Sequence, residues 1–170
     1  GKLDLVIPSY NADTVSVLLN NGNGTFAPKV DFPAAAHRLM TAAADLTGDG
    51  KPDIAVATDS NDDRVRVLVN NGDGTFAPEV DYPATASPNY LTAGDLNGDG
   101  KLDLAVLGAN SSAVALLINQ GSGTFPGTED YATGLDPSSA STADLNGDGK
   151  PDLAVTNSSA ASVGVFLNKG

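Results

Sequence analysis

The chain has 170 residues, 41% of them hydrophobic, which is enough for one domain with a core, and no apolar run approaches the roughly 18 residues of a membrane helix. The formal net charge of −12 makes nucleic acid a poor partner, because phosphate backbones would be repelled, and it favours metal cations or basic surfaces. The absence of Cys leaves metal rather than disulfides to stabilise the fold.

The chain opens with "GKLDLV", which returns as "GKPDIA" at Gly50, "GKLDLA" at Gly100 and "GKPDLA" at Gly149. An acidic run, "DLTGD" or "DLNGD", precedes the three later copies, and nothing precedes the first. We therefore expect the chain to be an arc of something larger, with the first copy lacking half of its motif.

The acidic runs define a repeat of about 50 residues. Asp45 and Asp95 are 50 residues apart, and Asp95 and Asp144 are 49 apart. The match extends to "VLLNNGNGTFAPKVDFPA" and "VLVNNGDGTFAPEVDYPA". The predicted organisation is one repeat domain, 1–170, with a partial unit at 1–37, full units at 38–86 and 87–136, and a partial unit at 137–170.

Each full unit predicts four strands. A strand rich in small residues leads into the acidic run, as in "RLMTAAAD", and a second strand follows it, as in "DIAVAT". The third strand alternates, as in "RVRVLVN", and a Gly/Asn turn joins it to a fourth, "TFAPEVDYPA", whose Pro and charges suit a sheet edge.

Four-stranded antiparallel units of this length predict an all-β fold made of β-propeller blades. The first strands are rich in Ala and Gly because inner strands converge where space is small. A linear β-solenoid is the alternative, although its rungs are usually shorter and parallel. The count of predicted strands is 3 + 4 + 4 + 3, or 14, which describes about three and a half blades: a partial propeller or half of an oligomeric ring.

The acidic run forms a loop with oxygen-bearing side chains at positions 1, 3, 5 and 9 and Gly at positions 4 and 6. Such a loop can curl around Ca²⁺, which takes six to eight oxygen ligands and often includes the carbonyl of position 7. An EF-hand is rejected, because position 12 would be Glu and here it is Val56, Val106 or Val155. Turn formation alone is the simpler reading of Asp-Gly loops, but three convergent carboxylates, three times over, would repel one another without a cation.

With this loop repeated three times, the chain resembles the FG-GAP or VCBS repeat family. These are the calcium-loop propeller repeats of integrin α-subunit heads and many bacterial surface proteins. The resemblance covers essentially the whole chain and implies that each loop joins the first and second strands of a blade and binds Ca²⁺ structurally. It implies three Ca²⁺ sites. Thr47 stands at position 3 of the first loop, where the family usually has Asp or Asn. The lysines at position 7 would bind through their carbonyl groups, which leaves their ammonium groups able to point to solvent. The implied ligands, with Lys contributing its carbonyl, are Asp45, Thr47, Asp49, Lys51 and Asp53; Asp95, Asn97, Asp99, Lys101 and Asp103; and Asp144, Asn146, Asp148, Lys150 and Asp152. Asp4 matches position 9 without its partners, so we predict three sites rather than four.

Other chemistry has little support in the sequence. His37 is the only His and lies outside the repeat pattern, and there is no Cys nucleophile or G-x-S-x-G motif, so we predict that the chain is not an enzyme. A sugar-binding lectin is the alternative, using Tyr90 or Tyr10 with Arg38 or His37. The repeated aromatic residues are predicted to be structural; they are Phe26, Phe76, Phe125, Phe32, Tyr82, Tyr131 and Phe166.

The predicted function is a Ca²⁺-stabilised, non-catalytic binding scaffold that is secreted or on the cell surface, since extracellular modules bind Ca²⁺ at about 10⁻⁴–10⁻³ M. The predicted partners are a second copy in a head-to-tail dimer that closes a propeller, or flanking blades of a longer chain, together with a protein or glycan ligand. A designed or excised propeller fragment that self-assembles without a ligand is a further alternative.

Overall fold

The computed structural model describes residues 2–9, 12–34, 40–58, 63–109 and 111–170. Every regular element within these ranges is a β-strand. Within them there is likewise no helix with the length and apolarity that a membrane crossing requires. The strands are β1 (Leu5–Ser9), β2 (Thr14–Leu18), β3 (Val30–Pro33), β4 (Met40–Ala44), β5 (Asp53–Thr58), β6 (Arg64–Leu68), β7 (Val80–Pro83), β8 (Pro88–Gly94), β9 (Asp103–Gly108), β10 (Ala113–Leu117), β11 (Thr128–Ala132), β12 (Pro137–Ala143), β13 (Asp152–Asn157) and β14 (Ser162–Phe166).

The strands form four antiparallel sheets in chain order, each consistent with a propeller blade. Blade 1 is β1-β2-β3, blade 2 is β4-β5-β6-β7, blade 3 is β8-β9-β10-β11 and blade 4 is β12-β13-β14. Every pairing joins strands adjacent in sequence, as in an up-and-down meander. The predicted distribution of 3 + 4 + 4 + 3 strands is confirmed over the described residues.

The small-residue strands lie where neighbouring blades approach most closely. First strands contact one another, β4 with β8 and β8 with β12. Gly94 on β8 is buried, and a Cβ atom added there would lie 2.9 Å from the Thr142 Cγ2 atom on β12. The small residues therefore set the spacing between inner strands.

A larger side chain at Gly94 is expected to destabilise the fold. We expect Gly94→Val to lower the free energy of unfolding by about 2 kcal/mol, because it overpacks the β8–β12 contact. Urea denaturation followed by circular dichroism measures the change. Gly127→Val is the matched control, since nothing lies within 4 Å of a Cβ added at Gly127. Equal losses in both variants would contradict this explanation.

Each blade packs through two different faces, which we name by direction along the chain. The leading face is turned to the preceding blade and in blade 2 consists of Ile54, Val56 and Leu68, which pack on Val15 and Val17. The trailing face is turned to the following blade and in blade 2 includes Leu46, Ala55, Ala57, Val65 and Val67. It packs on blade 3 through Leu91, Leu104, Val106, Ala115, Leu117 and Phe125. Blade 3 packs on blade 4 in the same way, with Ala105, Leu107 and Val114 against Ala140, Leu153 and Val155. The core is therefore three layers between four sheets.

The fourth strands are shorter than the sequence predicts. The segment predicted from Thr75 to Ala84 is a strand only over Val80–Pro83, preceded by an isolated bridge between Asn70 and Phe76. Pro78 lacks an N–H group for a ladder, and Phe76 turns towards blade 1, where its ring meets that of Phe32 at a centroid distance of 4.9 Å. The first part of the segment thus connects blades instead of extending the edge.

Candidate metal sites

The three acidic loops have the same internal geometry, and each joins the first and second strands of its blade. The position 1 carboxylate turns inward and accepts hydrogen bonds from the backbone N–H groups of positions 4, 5 and 6. For Asp45 these N–H groups belong to Gly48 at 2.7 Å, Asp49 at 3.1 Å and Gly50 at 2.8 Å. Asp95 and Asp144 repeat the pattern. Gly48 and Gly50 have φ angles of 78° and 84°, a conformation that a residue with a Cβ atom rarely adopts.

The position 5 carboxylate lies at the exposed rim of the loop. Asp49 Oδ1 accepts from the Lys51 backbone N–H, and its Oδ2 accepts from the Lys51 ammonium at 2.9 Å. Asp99 and Lys101 form the same pair at 2.7 Å. The Lys51 and Lys101 side chains are 42% exposed, and their ammonium groups also contact the nearest loop carboxylate, a pairing that the sequence analysis did not predict. In the third loop Lys150 donates to the Lys169 carbonyl instead, and Asp148 accepts from the Asn146 side chain.

The position 9 carboxylate has a different environment, since Asp53, Asp103 and Asp152 are each 0% exposed. Asp53 Oδ2 accepts from the N–H groups of Leu46 and Thr47, and its Oδ1 accepts from the Asn70 N–H at 2.8 Å. Asp103 bridges Leu96 and Asn119, and Asp152 bridges Leu145 and Asn168. This residue ties the acidic loop to the turn after the third strand, a role that the sequence analysis did not identify.

These contacts determine which oxygen atoms remain for a cation. A carboxylate has about four lone-pair positions that can accept a hydrogen bond or bind a cation. Asp45 and Asp53 each accept from three N–H groups, so each has about one lone-pair position left for a cation. Thr47, Asp49 and the Lys51 carbonyl lie in the same turn. Among the described residues, no group of three or more Asp, Glu, His or Cys side chains is arranged to hold a metal. The donor set is nevertheless all oxygen, as Ca²⁺ requires, with positions 1, 3, 5 and 7 in one turn and position 9 on backbone amides.

Hydrogen bonds favour the ionised form of three loop carboxylates, Asp49, Asp99 and Asp144. Backbone N–H groups of Gly149 and Gly147 hold the pKa of Asp144 below its usual value. The hydrogen bond from the Lys51 side chain lowers the pKa of Asp49, and that from Lys101 lowers the pKa of Asp99. Burial raises the pKa of Asp103, opposed by the N–H groups of Asn119 and Leu96. The lowered pKa values of Asp49, Asp99 and Asp144 favour the charged forms of these three carboxylates.

Asp4 retains only the second half of this arrangement. Its Oδ1 accepts from the Asn20 N–H at 2.7 Å, as Asp53 does from Asn70, but the side chain is exposed. Asp4 therefore anchors the blade 1 turn.

An asparagine that the sequence analysis missed joins each of the first two loops to the next blade. Asn119 is 0% exposed, and its Nδ2 donates to the Leu46 carbonyl of blade 2 at 2.8 Å and to Leu102 at 3.0 Å. Asn168 donates in the same way to the Asp95 carbonyl of blade 3 at 3.3 Å. The recurrence of Asn20, Asn70, Asn119 and Asn168 at one repeat position was the available signal. A cleft of about 220 Å³ separates the first two loops and is lined by residues of both, including Asp45 and Lys101.

The predicted structural role of the repeated aromatic residues is confirmed for six of the seven. Ring pairs cross each blade junction: Phe32 with Phe76, Tyr82 with Phe125, and Tyr131 with Phe166. Phe26, the seventh, is 38% exposed. Of the residues considered for a sugar site, Tyr90 is half-buried against the core between blades 3 and 4. Tyr10, His37 and Arg38 lie outside the described residues.

The repeat geometry agrees with a comparison to known families. The FG-GAP-like repeat model matches residues 1–56, 45–106 and 95–155, each match containing a "GK-x-D" segment. The chain belongs to the FG-GAP-like repeat family. No curated protein matches it.

Three solved structures resemble this chain at low sequence identity. A chain of the Photorhabdus luminescens Tc holotoxin pore is 21% identical with a TM-score of 0.58, and the match covers 96% of this chain and 8% of that one. The V. cholerae biofilm matrix protein Bap1 is 20% identical with a TM-score of 0.51, covering 97% and 26%. An Agrocybe aegerita lectin that recognises non-reducing terminal N-acetylglucosamine is 19% identical with a TM-score of 0.46, covering 99% and 63%. This chain thus spans less than two thirds of each, and the first two likenesses support the fold alone.

Proposed function

We propose that this FG-GAP-like chain is a calcium-stabilised, non-catalytic β-propeller module that serves outside the cell as a scaffold for recognition. The observation that carries the proposal is the threefold repetition of one loop, in which an inward carboxylate is held by three backbone N–H groups beside further oxygen donors. Nine of the 21 acidic residues lie in these loops, and three Ca²⁺ ions would reduce the net charge from −12 to −6.

When bound, the metal would supply positive charge to each loop, and the oxygen atoms of the loop would coordinate it. The residues that would hold it are those at positions 1, 3, 5 and 7. The position 1 carboxylate is already oriented by its N–H donors, so little ordering of that side chain is required on binding. Lys51 and Lys101 occupy the position 5 carboxylates as internal cations, and a divalent ion would compete with them. The third loop has no such lysine contact, so we expect it to bind first.

The extracellular location follows from the expected weakness of such sites, since extracellular modules bind Ca²⁺ at about 10⁻⁴–10⁻³ M. The family membership and the fold likeness to a toxin component and a biofilm matrix protein are consistent with a surface context. Recognition would use surfaces between blades, and blade-to-blade packing would continue through a second copy or through further blades of a longer chain.

Calcium removal tests the proposal. At free Ca²⁺ about three times Kd, each site adds about 0.8 kcal/mol, so three sites raise Tm by roughly 5–10 °C over the chelated protein. Differential scanning calorimetry with calcium, with magnesium and with a chelator measures the shift. A variant carrying Asp49→Asn, Asp99→Asn and Asp148→Asn should lose it, whereas Glu79→Gln, an exposed acidic residue outside the loops, should keep it. A melting temperature that does not respond to the chelator would refute calcium binding.

A further inference from the structure

The outermost faces of the four-blade array are apolar and exposed. The leading face of blade 1 presents Leu5 and Ile7, which are 42% and 46% exposed. The trailing face of blade 4 presents Leu145, Val163 and Val165, which are 50%, 63% and 52% exposed. Scattered exposed apolar residues are ordinary, but these form two groups at opposite ends of the array.

The same repeat positions are buried wherever a neighbouring blade covers them. Ile54, Leu104 and Leu153 stand at the position of Leu5 and are at most 3% exposed. Val15, Val65 and Val114 stand at the position of Val163 and are 0% exposed. Leu46, at the position of Leu145, is 2% exposed because the turn of blade 3 covers it. The exposed faces are therefore the two complementary halves of a junction that the chain forms three times internally.

The polar part of the junction is also present in two halves. At the second and third junctions, an Asn side chain of the later blade donates both to its own blade and to the acidic loop of the earlier one. Among the described residues, the Asn20 side chain donates to the Leu3 carbonyl within blade 1 and to no acceptor in another blade, so its second Nδ2 hydrogen has no acceptor there. The acidic loop of blade 4, with the Leu145 carbonyl, offers the matching acceptor.

From these observations we infer that the leading face of blade 1 binds the trailing face of blade 4 in a second copy of this chain. Leu5, Ile7 and Leu18 of one copy cover Val163 and Val165 of the other, and Asn20 donates to the loop beside Leu145. Two copies form this contact twice around a two-fold axis and give a ring of eight blades, within the four to eight typical of propellers. The inference rests on the self-association part of the proposed function and not on calcium binding.

Sedimentation equilibrium and light scattering at micromolar concentration provide the first test. The expected mass is twice the 17.1 kDa of one chain. Ile7→Asp and Val163→Asp should each weaken dimerisation on the order of 100-fold, because each places a charge in the apolar contact. Val80→Asp is the matched control: Val80 is 49% exposed on the edge strand β7, away from both faces, and its substitution should leave the dimer intact.

Mixing the two disrupted variants distinguishes a head-to-tail contact from any other dimer. Ile7→Asp and Val163→Asp chains, each monomeric alone, should form a dimer together, since one of the two junctions then has only native residues. A monomeric native chain, an assembly of another size, an effect of only one variant, or a mixture that stays monomeric would each overturn the inference. Masses are measured in calcium and in chelator. A dimer without a calcium-dependent Tm refutes only calcium binding, and a monomer with such a Tm refutes only the ring.

Discussion

Replacing Phe125 by alanine is expected to lower the free energy of unfolding by about 4 kcal/mol, the usual cost of deleting a fully buried aromatic side chain. Phe125 is 1% exposed and lies between blades 2 and 3, where its ring meets that of Tyr82 edge to face at a centroid distance of 5.2 Å. The surrounding Leu46, Val67 and Leu104 belong to different strands and turns of two sheets and cannot all move into the space left. The loss should appear as a lower urea midpoint with an unchanged m-value.

Phe26 is the internal comparison for this prediction. It occupies the same repeat position in blade 1 but is 38% exposed, so Phe26→Ala should cost about 1 kcal/mol or less. Both variants are compared in a Val163→Asp background, which removes any contribution from association. Similar losses at the two positions would show that the aromatic residue stabilises its own turn and not the junction between blades.

The sequence predicts the number and order of the strands because the repeat is nearly identical between units. One pattern of small, apolar and turn residues recurs three times, which leaves few other assignments of strands and turns. The division into three, four, four and three strands follows from where this pattern starts and stops in the sequence. The sequence predicted that the repeated aromatic residues are structural, but it did not predict which rings pair across the blade junctions. Their partners depend on how one sheet stacks on the next, and a strand pattern within one unit does not contain that information.

The loops show the same division between local and distant contacts. The glycines and the position 1 carboxylates could be placed from spacing alone, because all their partners lie within five residues. The burial of Asp53, Asp103 and Asp152 could not, because each accepts from an N–H group 16 or 17 residues later in the chain. Ligand spacing therefore placed the position 9 carboxylates among the calcium ligands but did not indicate their burial. The lysine contacts with Asp49 and Asp99 depend on side-chain geometry, which spacing does not contain.

Asp103→Ala should consequently destabilise the protein even when no metal is present, by about 4 kcal/mol. Asp103 is 0% exposed and accepts from the N–H groups of Leu96 at 2.9 Å and Asn119 at 2.8 Å. Its removal leaves two N–H groups without their acceptor and separates the acidic loop from the turn after the third strand, and each unsatisfied buried group costs about 1–3 kcal/mol. Asp103→Asn retains one acceptor oxygen and should lose roughly half as much.

Urea denaturation in chelator measures this effect without any contribution from calcium. Asp4→Ala is the matched control, since Asp4 holds the same position in blade 1 but is exposed. Among the described residues it accepts from one N–H group, so its substitution should cost less than about 1 kcal/mol. A purely metal-binding role predicts the opposite, with Asp103→Ala neutral in chelator and destabilising only when calcium is added. The size of the loss in chelator therefore decides whether this carboxylate stabilises the blade by itself, and the additional loss in calcium measures what it contributes as a ligand.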